Sequence, residues 1–562
     1  MRTAHLFLLG CLAFACTYRG VEAAEPPPST DDLEIHLLGS GICEGMEMTI
    51  ANDGRVFIAE RPGKVKLFSP DHPGILTEVL DLQSDTRGES GLLGICLDPE
   101  FDHNQWIWIY HTVPIENDEQ YHAHHLGRFS FKDSKIDPES ERVVLKVKAA
   151  HQPKRIHEAG SIAFDKDGLL YLSCGDNQIR SEYLFSCKTS ANSNDLRGKI
   201  LRIRPMADGS YEIPEGNLFP PGTPNTRPEI YIMGLRNPFR ISVDAHTGWL
   251  LWGENGPPNN WVPGTTLDKS KVPLGYDEYN LARDPGFYGY PMIIANQQPY
   301  LNYDFEAKKP RGYYDPKKPI NDHPENTGIQ ELPPSQPPLI WYQGEQAEFP
   351  ELGNGGESAI AGPIFRPQKT QAKQLRLPKR YHDQWIIGEY ARGWVKSVGL
   401  DEHGKLTGIH PLLPPLRYGK PSNLKIGPQG RLHVLYYAKN ETGALVRVEN
   451  KEQVTGSTPI QLHLANDKPP KGISKKDPGL KLMAQSDCLS CHQWKRTVIA
   501  PPYTEIAKKY KGNKDAAKLL AEKVIQGGVG VWGEIPMPPH PQHSRKEVDQ
   551  MITTILKLNT LK

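Results

Sequence analysis

Asp167-Gly168-Leu169-Leu170-Tyr171-Leu172 is a turn pair followed by apolar and aromatic positions, the pattern of a strand entered through a tight hairpin turn. The same reading fits Asp53-Gly54-Arg55-Val56-Phe57-Ile58, Asn104-Gln105-Trp106-Ile107-Trp108-Ile109 and Thr247-Gly248-Trp249-Leu250-Leu251-Trp252. It fits again at Asp383-Gln384-Trp385-Ile386-Ile387 and at Gln429-Gly430-Arg431-Leu432-His433-Val434-Leu435. The six copies are spaced by about 46 to 80 residues, with one gap of about 136. Such spacing suits propeller blades with loop insertions better than a sandwich of evenly spaced strands. The expected fold is an all-β six-bladed β-propeller over residues 34–450. The Pro- and Asn-rich stretch from 291 to about 362 fills the long gap and is expected to decorate the active face or a neighbouring blade.

Beyond residue 450 the pattern stops. Residues 451–474 read as a linker and 475–562 as a second, small all-α domain. Ser544 and Glu547 have capping-box spacing, and Val548, Met551, Ile552, Ile555 and Leu556 repeat on one helical face. A second helix is expected over about 515–525.

A chain of 562 residues accommodates both units. Its 66 Lys+Arg balance 66 Asp+Glu, so it lacks the basic footprint of a nucleic-acid-binding protein, and no such partner is expected. Arg2, the apolar run from Leu6 to Phe14, and small residues at Val21, Ala23 and Ala24 read as a secretory signal over residues 1–23. A lipoprotein box at Leu8-Leu9-Gly10-Cys11 is the competing reading. No later apolar run is long enough for a membrane span, so a periplasmic or secreted location is expected. Cys43, Cys96, Cys174 and Cys187 then either form two disulfides, with Cys174 and Cys187 as the local pair, or are buried as small apolar residues.

Cys488-Leu489-Ser490-Cys491-His492 is a haem-attachment signature, in which two thiols add to the porphyrin vinyl groups and His492 ligates iron. Met537, between Pro536 and Pro538, is the expected sixth ligand. The segment resembles small class I cytochromes c, through Cys488 to His492, Ala500-Pro501-Pro502-Tyr503 and Gly530-Val531-Trp532-Gly533-Glu534-Ile535-Pro536-Met537-Pro538-Pro539. That resemblance implies one covalent haem c with His and Met ligands, His492 being oriented by the Pro501 carbonyl.

Several blocks of the propeller occur in order: Gly88-Glu89-Ser90-Gly91-Leu92-Leu93-Gly94, His157-Glu158-Ala159-Gly160, Cys174-Gly175-Asp176-Asn177 and Arg197-Gly198-Lys199-Ile200-Leu201-Arg202. Gly234-Leu235-Arg236-Asn237-Pro238, Glu254-Asn255-Gly256-Pro257, Asp277-Glu278 and Gly286-Phe287-Tyr288-Gly289-Tyr290-Pro291 follow. Together they resemble the soluble glucose/sorbosone dehydrogenase family, six-bladed propellers that use pyrroloquinoline quinone (PQQ) and calcium. The resemblance implies that His157 is the base that takes the sugar's hydroxyl proton, and that Arg236 and Asn237 hold the quinone oxygens. It also implies that the carbonyls of Gly256 and Pro257 bind Ca2+, and that Glu89 and Asp176 line the pocket. On the fifth and sixth blades, where the family has basic residues for the quinone carboxylates, Arg392 and Lys420 are the candidates, and Ser161 stands where an Arg is common. Asp176, Asn177, Asn192, Asn194 and Asp195 have a second reading as a structural calcium site. His122, His124 and His125 are expected at the surface rather than on a metal.

The function expected is an exported quinohaem oxidoreductase. It would oxidise a sugar or similar alcohol and pass electrons through haem to an external acceptor, a cytochrome or oxidase. The alternative is a non-catalytic propeller that binds carbohydrate or protein and carries an electron-transfer domain. A lactone hydrolase on the same fold would leave the haem unexplained.

Overall fold

The computed structural model describes residues 32–560 except 73, 115–120, 151–155, 178–182, 258–274, 305, 308, 346–347, 369–375, 417, 440–441, 451–469, 471–472, 475–476, 486–491, 493, 496–500 and 529–542. The signal segment, most of the linker, Cys488, Cys491 and Met537 therefore lie outside the described residues.

Each of the six sequence copies becomes the second strand of a blade, four-stranded and antiparallel in all but the third, which carries two further short strands: Val56–Glu60, Trp106–Pro114, Leu170–Cys174, Leu250–Glu254, Trp385–Glu389 and Leu432–Tyr437. The strands preceding them are Gly45–Ile50, Leu92–Leu97, Ala159–Phe164, Pro238–Val243, Ala359–Ile364 and Lys420–Ile426, and they contact one another in a closed ring. The ring closes because the N-terminal strand Leu33–Ile42 pairs antiparallel with Gly443–Asn450 as the outer strand of the sixth blade. Ring closure leaves the first and last blades without an open seam.

The second strands are nearly all buried because both of their faces pack on neighbouring blades. Val56, Phe57, Ile58, Trp108, Ile109, Leu250, Trp252, Trp385 and Ile387 are each at most 1% exposed. Polar groups at the axis are paired. Glu47 accepts from Ser161 Oγ at 2.6 Å, and the Arg240 guanidinium donates to the carbonyls of Met46 and Ser422. Ser161 is thus committed to the axis.

The insertion in the long gap serves the third blade. Gly286–Phe287 adds in parallel to that blade's strand Ile230–Met233, and Asn321 Nδ2 donates to the carbonyls of Cys187 and Ala191. Cys43, Cys96, Cys174 and Cys187 are free thiols, which settles the disulfide alternative for these four. Burial pushes the Cys174 and Cys187 thiols up to about 12, so neither acts as a nucleophile near neutrality.

Glu278 carries a pH dependence. It is buried in the strand Asp277–Ala282, where Ala295 N and Asn280 Nδ2 donate to it at 2.8 and 3.2 Å. Burial pushes its carboxyl up to about 7, and Asp277 adds repulsion. A raised carboxyl binds more protons folded than unfolded, so its contribution to stability is complete below about pH 4.5 and is lost as pH rises through about 7. Glu278→Gln removes that loss and offers a donor to Asn280 Oδ1, a buried atom without a hydrogen-bond partner. The variant's propeller transition in calorimetry should match the parent's at pH 5 and exceed it by about 1–3 kcal/mol at pH 8. Equal pH slopes for the two proteins would refute this account.

In the C-terminal part the described helices are Pro478–Gln485, Tyr503–Lys509, Ala516–Gln526 and Arg545–Leu556, around a core of Met483, Trp494, Tyr503, Ile506, Val548, Met551, Ile552 and Ile555. The Ser544–Glu547 capping box is present. The first and last helices approach closely at Gly479, where a Cβ would stand 2.2 Å from Thr554 Oγ1.

Candidate active site

One end of the ring is built by a simple rule. Residues just before a first strand and just after a second strand come together there, because the two strands are antiparallel neighbours. They line a cavity of about 330 Å3, bounded by Glu44, Arg61, Glu89, Asn237, Asn255 and Tyr390 among others. That size lies in the range of small-molecule sites. Its cationic lining residues are Arg61 and Lys439, and Tyr390 and Tyr437 meet edge to face at 5.7 Å as an aromatic wall.

The same rule places His157 and Asp176. Ala159 is paired with Cys174, so the residue two before one strand end meets the residue two after the other. His157 Nδ1 lies 2.8 Å from Asp176 Oδ1, with Asp176 fully buried and His157 7% exposed. Ser186 Oγ donates to the other Asp176 oxygen at 2.9 Å. Gly175 is required here, since a Cβ on it would stand 1.6 Å from the His157 carbonyl oxygen. Glu89 accepts from the His157 backbone N–H at 2.7 Å. A carboxylate on Nδ1 orients the ring and leaves Nε2 as the proton acceptor.

Arg236 and Asn237 sit before the fourth blade's first strand. Both of their backbone N–H groups donate to Glu254 Oε1, at 2.8 and 2.7 Å, and Asn237 Oδ1 accepts from Ala159 N at 3.1 Å. The Arg236 guanidinium donates to the carbonyls of Asn255 and Gly256 at 2.9 and 2.7 Å. The Gly256 carbonyl therefore already faces positive charge. Glu254 Oε2 and Glu389 Oε1 are buried without hydrogen-bond partners, and burial raises both carboxyls, that of Glu389 to about 8. The Asn255 and Gly256 carbonyls are thus taken by the guanidinium, and the buried Glu254 carboxyl near Arg236 is the oxygen donor left for a hard cation.

Other expected residues do not converge there. The Arg392 guanidinium is spent on the carbonyls of Gln343, Leu352, Gly353 and Gly356, and Lys420 Nζ donates to the Ala391 carbonyl at 2.7 Å. Neither lines the cavity, nor do His157, Asp176, Arg236, Gly256 and Pro257, whose chain neighbours Glu158, Ala159, Asn237 and Asn255 do. Asn192, Asn194 and Asp195 are not joined to Asp176 and Asn177 in one ligand set. Asn192 donates to Lys188 and Thr327, Asp195 accepts from Arg197, and Asn177 donates to Glu158. His122 and His124 correct the surface expectation, being 0% and 2% exposed, because their face of the strand packs against Glu158 of the next blade.

The sequence reading missed Glu44, Arg61, Tyr390, Tyr437, Lys439 and the buried Glu254 and Glu389. A signal existed. Glu60-Arg61, Glu254-Asn255 and Glu389-Tyr390 each close a copy of the repeat, so aligning the copies marks that position as the cavity rim.

In the helical part, His492 Nδ1 lies 2.7 Å from the Pro501 carbonyl oxygen, and its ring stacks on Tyr503 at 5.3 Å. That contact fixes the tautomer and turns the other ring nitrogen outward as a ligand atom.

A strand-ring cavity with a buried His–Asp pair, on a chain that ends in a small helical unit with an oriented histidine, is the arrangement of a redox propeller fused to a cytochrome. The family model for glucose/sorbosone dehydrogenase matches residues 43–346, and that for cytochrome c matches 477–559. The chain belongs to the glucose/sorbosone dehydrogenase family and carries a C-terminal cytochrome c domain. It is 27% identical to quinoprotein glucose dehydrogenase B of Acinetobacter calcoaceticus over 281 residues, 46% of this chain and 53% of that protein. It is 30% identical to the Hedgehog-interacting protein of Mus musculus over 227 residues, 37% of this chain and 31% of that protein. The matches thus span about a third to a half of these relatives. Cytochrome c-552 of Hydrogenobacter thermophilus is 43% identical over 77 residues, 13% of this chain and 79% of that protein.

Proposed function

We propose that the protein is an exported quinohaem dehydrogenase that oxidises an aldose or similar alcohol and delivers the electrons through its own haem c to an external cytochrome or oxidase. The observation that carries this reading is the buried His157–Asp176 pair, which adjoins in sequence the residues Glu158 and Ala159 that line the cavity together with Asn237 and Glu89. When bound, PQQ supplies a two-electron acceptor polarised by Ca2+, and haem c supplies a one-electron outlet. His157 Nε2 takes the proton of the substrate hydroxyl, while Asp176 holds the ring and stabilises the imidazolium. Arg236 offers its guanidinium to developing negative charge, beside Asn237. Gly256 and Pro257 would supply carbonyls and Glu254 a carboxylate for the calcium, the ion taking the Gly256 oxygen that the Arg236 guanidinium holds. Lys439 is the lining cation available to the quinone's carboxylates in place of Arg392 and Lys420, because the Arg61 guanidinium is held by Glu44 and the carbonyls of Thr86, Gly88 and Ser90.

The helical unit is read as a class I cytochrome c with haem on Cys488 and Cys491 and iron between His492 and Met537. Residues 1–23 are read as its export signal. Among the described residues no helix is long and apolar enough to cross a membrane.

The test is direct. Purified haem-loaded protein, reconstituted with PQQ and Ca2+, should reduce its own haem when aldoses are added, read from the haem absorption. No reduction by any member of an aldose panel would overturn the proposal. It would favour a non-catalytic propeller that binds carbohydrate or protein, a reading supported by the commitment of Arg392 and Lys420 to backbone carbonyls and by the similarity to a Hedgehog-interacting protein.

A further inference from the structure

We propose that His122, His124 and Glu158 form a binding site for a borderline divalent cation of the zinc class, set directly behind the loop that presents His157. The second blade creates the first half of the site. Strands Trp106–Pro114 and Tyr121–Lys132 pair with Thr112 opposite His124 and Pro114 opposite His122. Alternation along the strand then puts His122 and His124 on one face, and His125 on the other with His111. Glu158 comes from the third blade, one residue after His157. The three residues are 0%, 2% and 3% exposed, and one ligand atom from each lies within 4.8 Å of the others.

The two imidazoles converge on one carboxylate oxygen. His124 Nε2 lies 2.5 Å from Glu158 Oε2, and His122 Nε2 lies 3.6 Å from the same oxygen. Bonds of about 2.0–2.2 Å at tetrahedral angles separate ligand atoms by roughly 3.4 Å, so His124 and Glu158 must part by about 1 Å to admit an ion, while His122 already stands at that separation from Glu158. Two imidazoles and a carboxylate are a donor set that zinc takes, with a water in the fourth position.

The groups behind these ligands are also those that metal ligands have. Thr112 Oγ1 meets His124 Nδ1 at 3.1 Å, which leaves Nε2 for the ion. Ser90 Oγ and Asn177 Nδ2 donate to the two Glu158 oxygens at 3.0 and 2.8 Å. The purpose follows from the backbone. His157 and Ala159, on either side of Glu158, have φ of +55° and +52°, a left-handed conformation that is strained for non-glycine residues. A cation on Glu158 would pin that loop from behind, and Asn177 extends the hold to the neighbour of Asp176.

The experiment uses the full haem-loaded chain, stripped with a chelator, equilibrated with Zn2+ alone and passed through gel filtration, with zinc and iron counted by plasma mass spectrometry. One zinc per haem iron is expected. His124→Ala should bind zinc at least about tenfold more weakly, whereas His125→Ala, which breaks the partly exposed His111–His125–Glu141 cluster on the other face, should keep it. Zinc-edge X-ray absorption on the unmodified protein should show scattering from two imidazole rings, a readout that stands even if His124→Ala fails to fold. The proposal is overturned if no zinc is retained, which leaves an internal ion pair only, if His124→Ala binds as the parent does, or if His125→Ala loses the metal.

Discussion

His157→Asn should slow the reduction of haem by sugar by roughly a hundredfold or more, the scale of a positioned general base. Asn is the replacement that isolates proton transfer. It keeps a hydrogen-bonding group near Asp176 and tolerates the left-handed backbone at φ +55° as well as any non-glycine residue does. The backbone N–H that Glu89 accepts is untouched. Fold, calcium and quinone binding should therefore survive, and the loss should fall on the chemical step. Asp176→Asn should lower the rate as well, because Nδ1 then lacks the carboxylate that fixes the ring's tautomer and offsets its positive charge. Near-normal turnover in the Asn variant would make His157 a scaffold residue and remove the catalytic assignment.

Much of this architecture was legible because a propeller repeats its physics. A turn pair followed by a buried strand recurs six times, and each recurrence became the second strand of a blade. Ring closure was not legible, since the pairing of Leu33–Ile42 with Gly443–Asn450 joins ends that are distant in sequence and carry no local mark. The His–Asp pair was legible as two separate blocks, and the register of Ala159 with Cys174 explains why those blocks meet. Arg392 and Lys420 show where positional reasoning stops. A cation at the right place in the chain gives no sign of whether its side chain faces a ligand or nearby carbonyls, and here four carbonyls take the guanidinium of Arg392. His122 and His124 failed for a related reason. Alternation with Ala123 marks a strand, but in a propeller both faces of a strand are buried against neighbouring blades. Polar residues on such strands therefore answer to a partner in the next blade, as these do to Glu158.

The haem domain gives the other large effect. Converting both Cys488 and Cys491 to Ala should abolish the haem-stained band on a denaturing gel, because no thioether then survives unfolding. The propeller should not notice. The helical core of Met483, Trp494, Tyr503 and Met551 includes no residue of the blades, so the cavity and its His157–Asp176 pair should form as before. The double variant should then reduce an artificial dye with sugar at the parent's rate while losing all internal haem reduction. Adding a separate haem-loaded domain at micromolar concentration should restore only about a thousandth of the internal rate, since a tethered acceptor acts at an effective concentration of about millimolar. Haem staining that persists in the double variant would place the attachment elsewhere. Loss of dye reduction along with the haem would mean that the cytochrome domain supports the propeller's own chemistry, and the two units would no longer be a donor and its outlet.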